Sequence, residues 1–104
     1  QICILVPTTV LAQQHYKSFV KRFSKTPINI EKLSRDVKQK KKKEVLTNLN
    51  NGRIDIIIGT HALLHGSIKF QELGLLIIDE EHRFGVRQKE KIKKLSEQVN
   101  VLYL

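Results

Sequence analysis

Asp79-Glu80-Glu81-His82 directly follow the apolar run Leu75-Leu76-Ile77-Ile78, so the sequence places an acidic cluster at the tip of a buried segment. Mg²⁺ is a hard cation that takes oxygen ligands and keeps several waters, so one carboxylate fixed at a strand tip can hold it beside a triphosphate. Asp79 suits that role. A second carboxylate one residue on can orient or deprotonate an attacking water while cations neutralise charge on the phosphoryl oxygens, and Glu80 stands in that position. Acidic residues after a strand also begin solvated loops or cap helices, and the tetrad alone leaves both readings open.

Two further polar segments follow apolar runs. Pro7-Thr8-Thr9 comes after Ile2 to Val6, and Gly59-Thr60-His61 comes after Ile54 to Ile58. Threonine hydroxyls and unpaired backbone N–H groups at a helix start suit phosphate contacts. Plain helix capping is the alternative reading of Thr8-Thr9, and a tight turn with a capping threonine that of Gly59-Thr60-His61. Arg83, beside the acidic cluster, is a candidate to serve it. His15 and His65 have no metal-ligand spacing with the other histidines, and Cys3 inside an apolar run reads as a small buried hydrophobe. No disulfide or zinc framework exists. The lysines Lys38 and Lys40 to Lys43 spread around a helix rather than forming one stripe, which predicts a solvated face with some nonspecific phosphate attraction that salt weakens. Arg87, Lys89, Lys91, Lys93 and Lys94 read the same way.

These segments need elements to hold them. Ile2 to Val6 predicts a strand, and Thr8-Thr9 can cap a helix carrying Val10, Leu11, Phe19, Val20 and Phe23 that ends before Pro27. Ile28, Ile30 and Leu33 alternate with polar residues as a second strand does. Asp36 can cap a helix presenting Val37, Val45, Leu46 and Leu49 to a core, with Asn51-Gly52 closing it. Ile54 to Ile58, Leu75 to Ile78 and Val101 to Leu104 predict three more strands. A short helix precedes the second of these, and a basic helix from about Arg87 to Gln98 precedes the third. Apolar strands joined by helical crossovers argue for a parallel sheet covered on both faces. Ligands in such sheets bind beyond the carboxyl ends of the strands, where the three polar segments should converge.

Nineteen Lys plus Arg oppose ten Asp plus Glu, for a net charge of +9, which points to a polyanionic partner such as nucleic acid. No apolar run approaches the ~20 residues that cross a bilayer, and the amino terminus has no signal-peptide pattern, which together predict a cytoplasmic location and no membrane partner. There is no internal repeat and no flexible linker. The chain starts at Gln1, contains no Met and stops on the apolar run Val101 to Leu104, as a segment of a longer polypeptide would.

The segments VPTTVLAQQHY from Val6, IDIIIGTHALL from Ile54 and LGLLIIDEEHRFGVRQKEKIK from Leu73 resemble the first RecA-like motor domain of superfamily two DNA helicases and translocases. Within that group they most resemble the bacterial transcription-repair coupling factor family, with the RecG-type branch-migration helicases as near relatives. Three motifs occur in the family's order, Arg83-Phe84-Gly85-Val86 follows the acidic box, and the resemblance spans nearly the whole chain. It implies an α/β fold of the RecA-like, P-loop NTPase kind: a parallel sheet flanked by helices, with residues 1–104 forming part of a helicase ATP-binding domain. It also implies that Asp79 engages the Mg²⁺ of Mg-ATP, that Glu80 activates the hydrolytic water, and that Glu81 and His82 complete the nucleotide box, His82 coupling it to the DNA-contacting elements. Pro7, Thr8 and Thr9, with Gln13, Gln14 and His15, match the family's first DNA-contact motif. Gly59, Thr60 and His61 match the next, and Ser34 and Arg35 lie where a further backbone-contact loop is expected.

The implied parent protein is an ATP-dependent double-stranded DNA translocase that displaces stalled RNA polymerase and recruits excision-repair proteins through domains outside these residues. The alternatives are a RecG-like helicase of branched DNA and, in another class, a non-catalytic remnant with weak nonspecific DNA binding. No G-x-x-x-x-G-K-[S/T] loop occurs in the chain, and the resemblance places it before Gln1. It places the motif linking hydrolysis to movement, and then the second motor domain, after Leu104. Residues 1–104 by themselves are therefore expected to hydrolyse no ATP.

Overall fold

The computed structural model describes residues 1–104. Five strands form one parallel sheet: β1 (Ile2–Leu5), β2 (Ile30–Leu33), β3 (Ile56–Gly59), β4 (Leu75–Ile78) and β5 (Asn100–Tyr103), in the spatial order β2-β3-β1-β4-β5. Helices α1 (Thr9–Arg22), α2 (Gln39–Asn50) and α3 (Val86–Ser96) make the crossovers, with 3₁₀ turns at His61–Leu64 and Glu81–Arg83.

Alternation along the strands divides the core between the two faces. Cys3, Leu5, Ile57, Leu76 and Ile78 pack with Val45 and Leu49 of α2 and Ile92 of α3. Ile4, Val6, Ile56 and Ile58 pack on the other face with Ala12 of α1, flanked by Leu11, Phe19 and Phe23. Cys3 is buried as its apolar setting predicts, and burial pushes its thiol up to about 12. A nucleophile needs the thiolate, so Cys3 is a packing residue.

Local chemistry fixes the element ends. Thr8 caps α1, its Oγ1 accepting from the Leu11 N–H at 3.2 Å. Gly52 closes α2 with φ 76°, the left-handed conformation that glycine adopts without penalty. Asp36 does not cap α2: its carboxylate is taken by Lys32 at 2.8 Å and by the Ser34 hydroxyl, and the helix starts three residues later at Gln39. The third strand pairs from Ile56 rather than Ile54, and just before it the Asp55 carboxylate accepts from the Asn29 N–H at 2.7 Å.

The sheet is not covered evenly. Val10 is 66% and Val20 41% exposed, so α1 buries a narrower stripe than its apolar residues suggest. At the β5 edge Leu102, Tyr103 and Leu104 remain open to solvent.

Candidate functional site

Leu33, Gly59, Leu5, Ile78 and Tyr103 lie side by side in one row across the sheet. The chain therefore leaves four neighbouring strands at one level, and Ser34, Thr60, Val6 and Asp79 emerge together at the carboxyl edge. Backbone bonds carry the ladder one step further: Val6 N–H donates to Gly59 at 2.9 Å, Asp79 N–H to Leu5 at 3.0 Å and Thr60 N–H to Leu33 at 3.3 Å. Gly59 admits no side chain, since a Cβ there would lie 2.4 Å from the Leu33 carbonyl oxygen and 2.6 Å from Leu63 Cδ1. That close approach brings Thr60, nearly fully buried, against the end of β2. The three polar segments do converge, with the Pro7 loop in the middle because β1 sits between β3 and β4.

On the β4 side stands the acidic turn. The Asp79 carboxylate is partly buried, and its Oδ2 lies 2.9 Å from His15 Nε2 on the second turn of α1. Glu80 is the chain's one non-glycine residue with positive φ (49°, ψ 51°). This left-handed conformation costs an L-residue about 1–2 kcal/mol. The surroundings hold it: Arg83 N–H donates to the Glu80 carbonyl and Phe84 N–H to that of Glu81, each at 3.0 Å, and the buried Phe84 ring anchors the turn in the core. Glu80 Oε2 accepts from Arg83 Nη1 at 3.3 Å, so Arg83 does meet the acidic cluster. Glu81 and His82 are exposed at this edge, and the histidine that touches an acidic side chain is His15.

On the β3 side lies a cleft of about 320 Å³. Pro7, Thr8 and Thr9 form one wall, Thr60 and His61 the other, and Arg35 and Lys42 reach in from the β2–α2 connection. The loop bearing Arg35 is braced from behind. Lys32 donates to Asp36 at 2.8 Å and to Gln13 Oε1, and it lies 5.9 Å from the centre of the Tyr16 ring. The Lys32 ammonium, then the Ser34 hydroxyl, hold the Asp36 carboxyl below the usual carboxylate range. Ser34 is fully buried, Gln13 faces Lys32, and Gln14 is exposed on α1.

Of the sequence candidates, Pro7, Thr8, Thr9, Arg35, Thr60 and His61 meet in this cleft. Gly59 acts by admitting the close approach, Ser34 and Gln13 by bracing, and His15 belongs to the acidic turn. Sequence reading missed Lys32 and Lys42. For Lys42 no sequence signal was decisive, since Lys41 precedes the buried Val45 and Leu49 by four and eight residues and shares their helix face as well. A larger depression of about 510 Å³, between the end of α1 and the start of β2, shares no residue with either half of the site.

Known proteins are similar to this chain. The chain is similar to the transcription-repair-coupling factor of Haemophilus influenzae, 57% identical over 104 residues, which are all of this chain and 9% of that protein. Among solved structures it is similar to RecG bound to a three-way DNA junction, with a TM-score of 0.80 and 40% identity over 99% of this chain and 13% of that one. It also shares its fold with the DUF1998 helicase MrfA bound to DNA and AMPPNP, with a TM-score of 0.79 and 19% identity over 99% of this chain and 17% of that one. The chain thus spans about a tenth of the length of the curated relative. The family model of the DEAD/DEAH box helicases matches residues 1–103, and the chain belongs to that family.

Proposed function

We propose that these residues form part of the first RecA-like motor domain of an ATP-driven, double-stranded DNA translocase of the transcription-repair coupling kind, working in the cytoplasm. The observation that carries this reading is the single sheet edge on which an acidic turn and a cleft of cations and hydroxyls stand one strand apart. Such an edge can hold a nucleotide on one side and a phosphate backbone on the other. The likeness in sequence to a coupling factor supports the specific assignment.

The donors fit Mg-ATP. A Mg²⁺ beside a triphosphate takes most of its oxygens from phosphates and waters and needs only one or two carboxylates, which the strand tip offers in Asp79 and Glu80. Asp79, with only Oδ2 engaged by His15, would supply the first carboxylate, and the metal would neutralise phosphoryl charge. Glu80 would orient the water, held at the tip of its turn by Arg83. Glu81 and His82 complete the box. In the cleft, Thr8, Thr9, Thr60, His61 and Arg35 would grip backbone phosphates, which position a motor without reading sequence. The bare edge of β5, with Leu102 and Leu104 exposed, would pair with a strand supplied by the flanking chain, where the phosphate loop would also lie. RNA polymerase and excision-repair proteins would be engaged through other domains.

The test is Mg²⁺-dependent ATP hydrolysis by the native polypeptide carrying these residues, stimulated by duplex DNA, together with release of an RNA polymerase stalled on that duplex. Turnover without polymerase release, but with unwinding of a three-way junction, would favour a RecG-like helicase, the second reading, which rests on the 40% identity to RecG. Salt-sensitive DNA binding with no turnover at all would sink both in favour of a non-catalytic module.

A further inference from the structure

We infer that Lys42 is a phosphate-contacting residue which, with Arg35, makes the cleft beside β1 a two-cation subsite for adjacent phosphates of a nucleic-acid backbone; the inference rests on the nucleic-acid reading above.

Burial singles out Lys42 from its run. It shares the inward face of α2 with Val45 and Leu49, and it alone among Lys38 and Lys40 to Lys43 is partly buried. A lysine stem laid along an apolar face sends its ammonium to the nearest wet opening. The first turn of α2 stands at the carboxyl edge of the sheet, where that opening is the cleft.

Charge pairing makes the same distinction. Lys32 is neutralised by Asp36, Lys41 by Glu31 at 3.0 Å and Glu44 at 3.7 Å, and Arg83 by Glu80. Arg35 and Lys42 take part in none of the chain's ion pairs, although they line one cleft. The carboxylate nearest in sequence, Asp36, is drawn back by Lys32 and Ser34 and so does not neutralise Arg35. Two like charges facing one cavity repel, and an anion relieves them. The opposite wall offers donors: Thr8 Oγ1 accepts from Leu11 N–H, which leaves its own proton free to point outward. Neutral hydroxyls and two cations suit phosphodiester oxygens.

The experiment compares the salt dependence of duplex-DNA binding, without nucleotide, for the native polypeptide and three variants. Lys42→Gln is expected to lower the slope of log K against log salt by about 0.9, the loss of one neutralised phosphate, uniformly across DNA sequences. Lys42→Arg should keep the slope. Lys43→Gln removes the same charge from the exposed side of α2 and should leave the slope within error. Equal effects of Lys42→Gln and Lys43→Gln, or none from either, would overturn the role of Lys42 while leaving the nucleic-acid reading intact. Salt-independent or absent binding by the unsubstituted protein would overturn both.

Discussion

His15 Nε2 lies 2.9 Å from Asp79 Oδ2, joining the helix that opens beside the cleft to the acidic turn on the other side of β1. A carboxylate steered by an outer hydrogen bond loses about 10- to 100-fold in metal affinity or activity when that partner is removed. His15→Ala in the native polypeptide is therefore expected to lower duplex-stimulated ATP turnover by that factor and leave nucleotide-free duplex binding unchanged. Weakened duplex binding with unaltered turnover at saturating DNA would show instead that His15 is a DNA contact, the role its sequence motif implies.

Glu80 combines a candidate catalytic carboxylate with a strained backbone, and the two can be separated. Glu80→Gly relieves a left-handed penalty of about 1–2 kcal/mol and loses roughly 0.4–1 kcal/mol through the freer unfolded chain. Stability by chemical unfolding should consequently hold or rise slightly. ATP turnover should fall by about 10²–10⁴, the usual worth of a positioned general base. A large loss of stability would mean that the Arg83 contact, rather than chemistry, explains why a glutamate occupies this turn.

Much of this was legible in the sequence, and the failures share a cause. Leu75 to Ile78 could be bounded to the residue because an apolar run met four polar residues, and the strand and helix order followed from similar breaks. Asp36 misled because a short carboxylate caps a helix or binds its local neighbours with equal ease, and Lys32 decided the matter from the preceding strand. The His15–Asp79 contact spans 64 residues and exists only because the sheet order sets β1 beside β4, which no local pattern encodes. Likewise, helical spacing to Val45 and Leu49 fits Lys41 as well as Lys42, and only the folded chain shows that it is Lys42 that is partly buried.

Burial pushes the Cys3 thiol from its ordinary 9.0 up to about 12, so the folded protein retains a proton that the unfolded chain releases. The sign follows: this group's contribution is fully present below about pH 9 and is lost as pH rises through about 12. Iodoacetamide at pH 8 should consequently label Cys3 only as fast as the protein unfolds, and addition of urea should expose it at once. Rapid labelling of the native protein would mean that β1 opens locally at the centre of the sheet.

Gly59 gives the sharpest test of how packing builds the site. Its missing Cβ would sit 2.4 Å from a backbone oxygen of β2, which cannot swing aside as a side-chain tip could, and 2.6 Å from Leu63. Gly59→Ala should therefore cost about 1–3 kcal/mol, the usual range for overpacking. Because relief requires parting β3 from β2, the Thr60 N–H bond to Leu33 should open and duplex affinity should fall with stability. Gly66→Ala is the control, since nothing lies within 4 Å of a Cβ there, and its effect should stay within about 0.5 kcal/mol. Equal stability and duplex affinity for the two variants would show that the β2–β3 approach does not position Thr60.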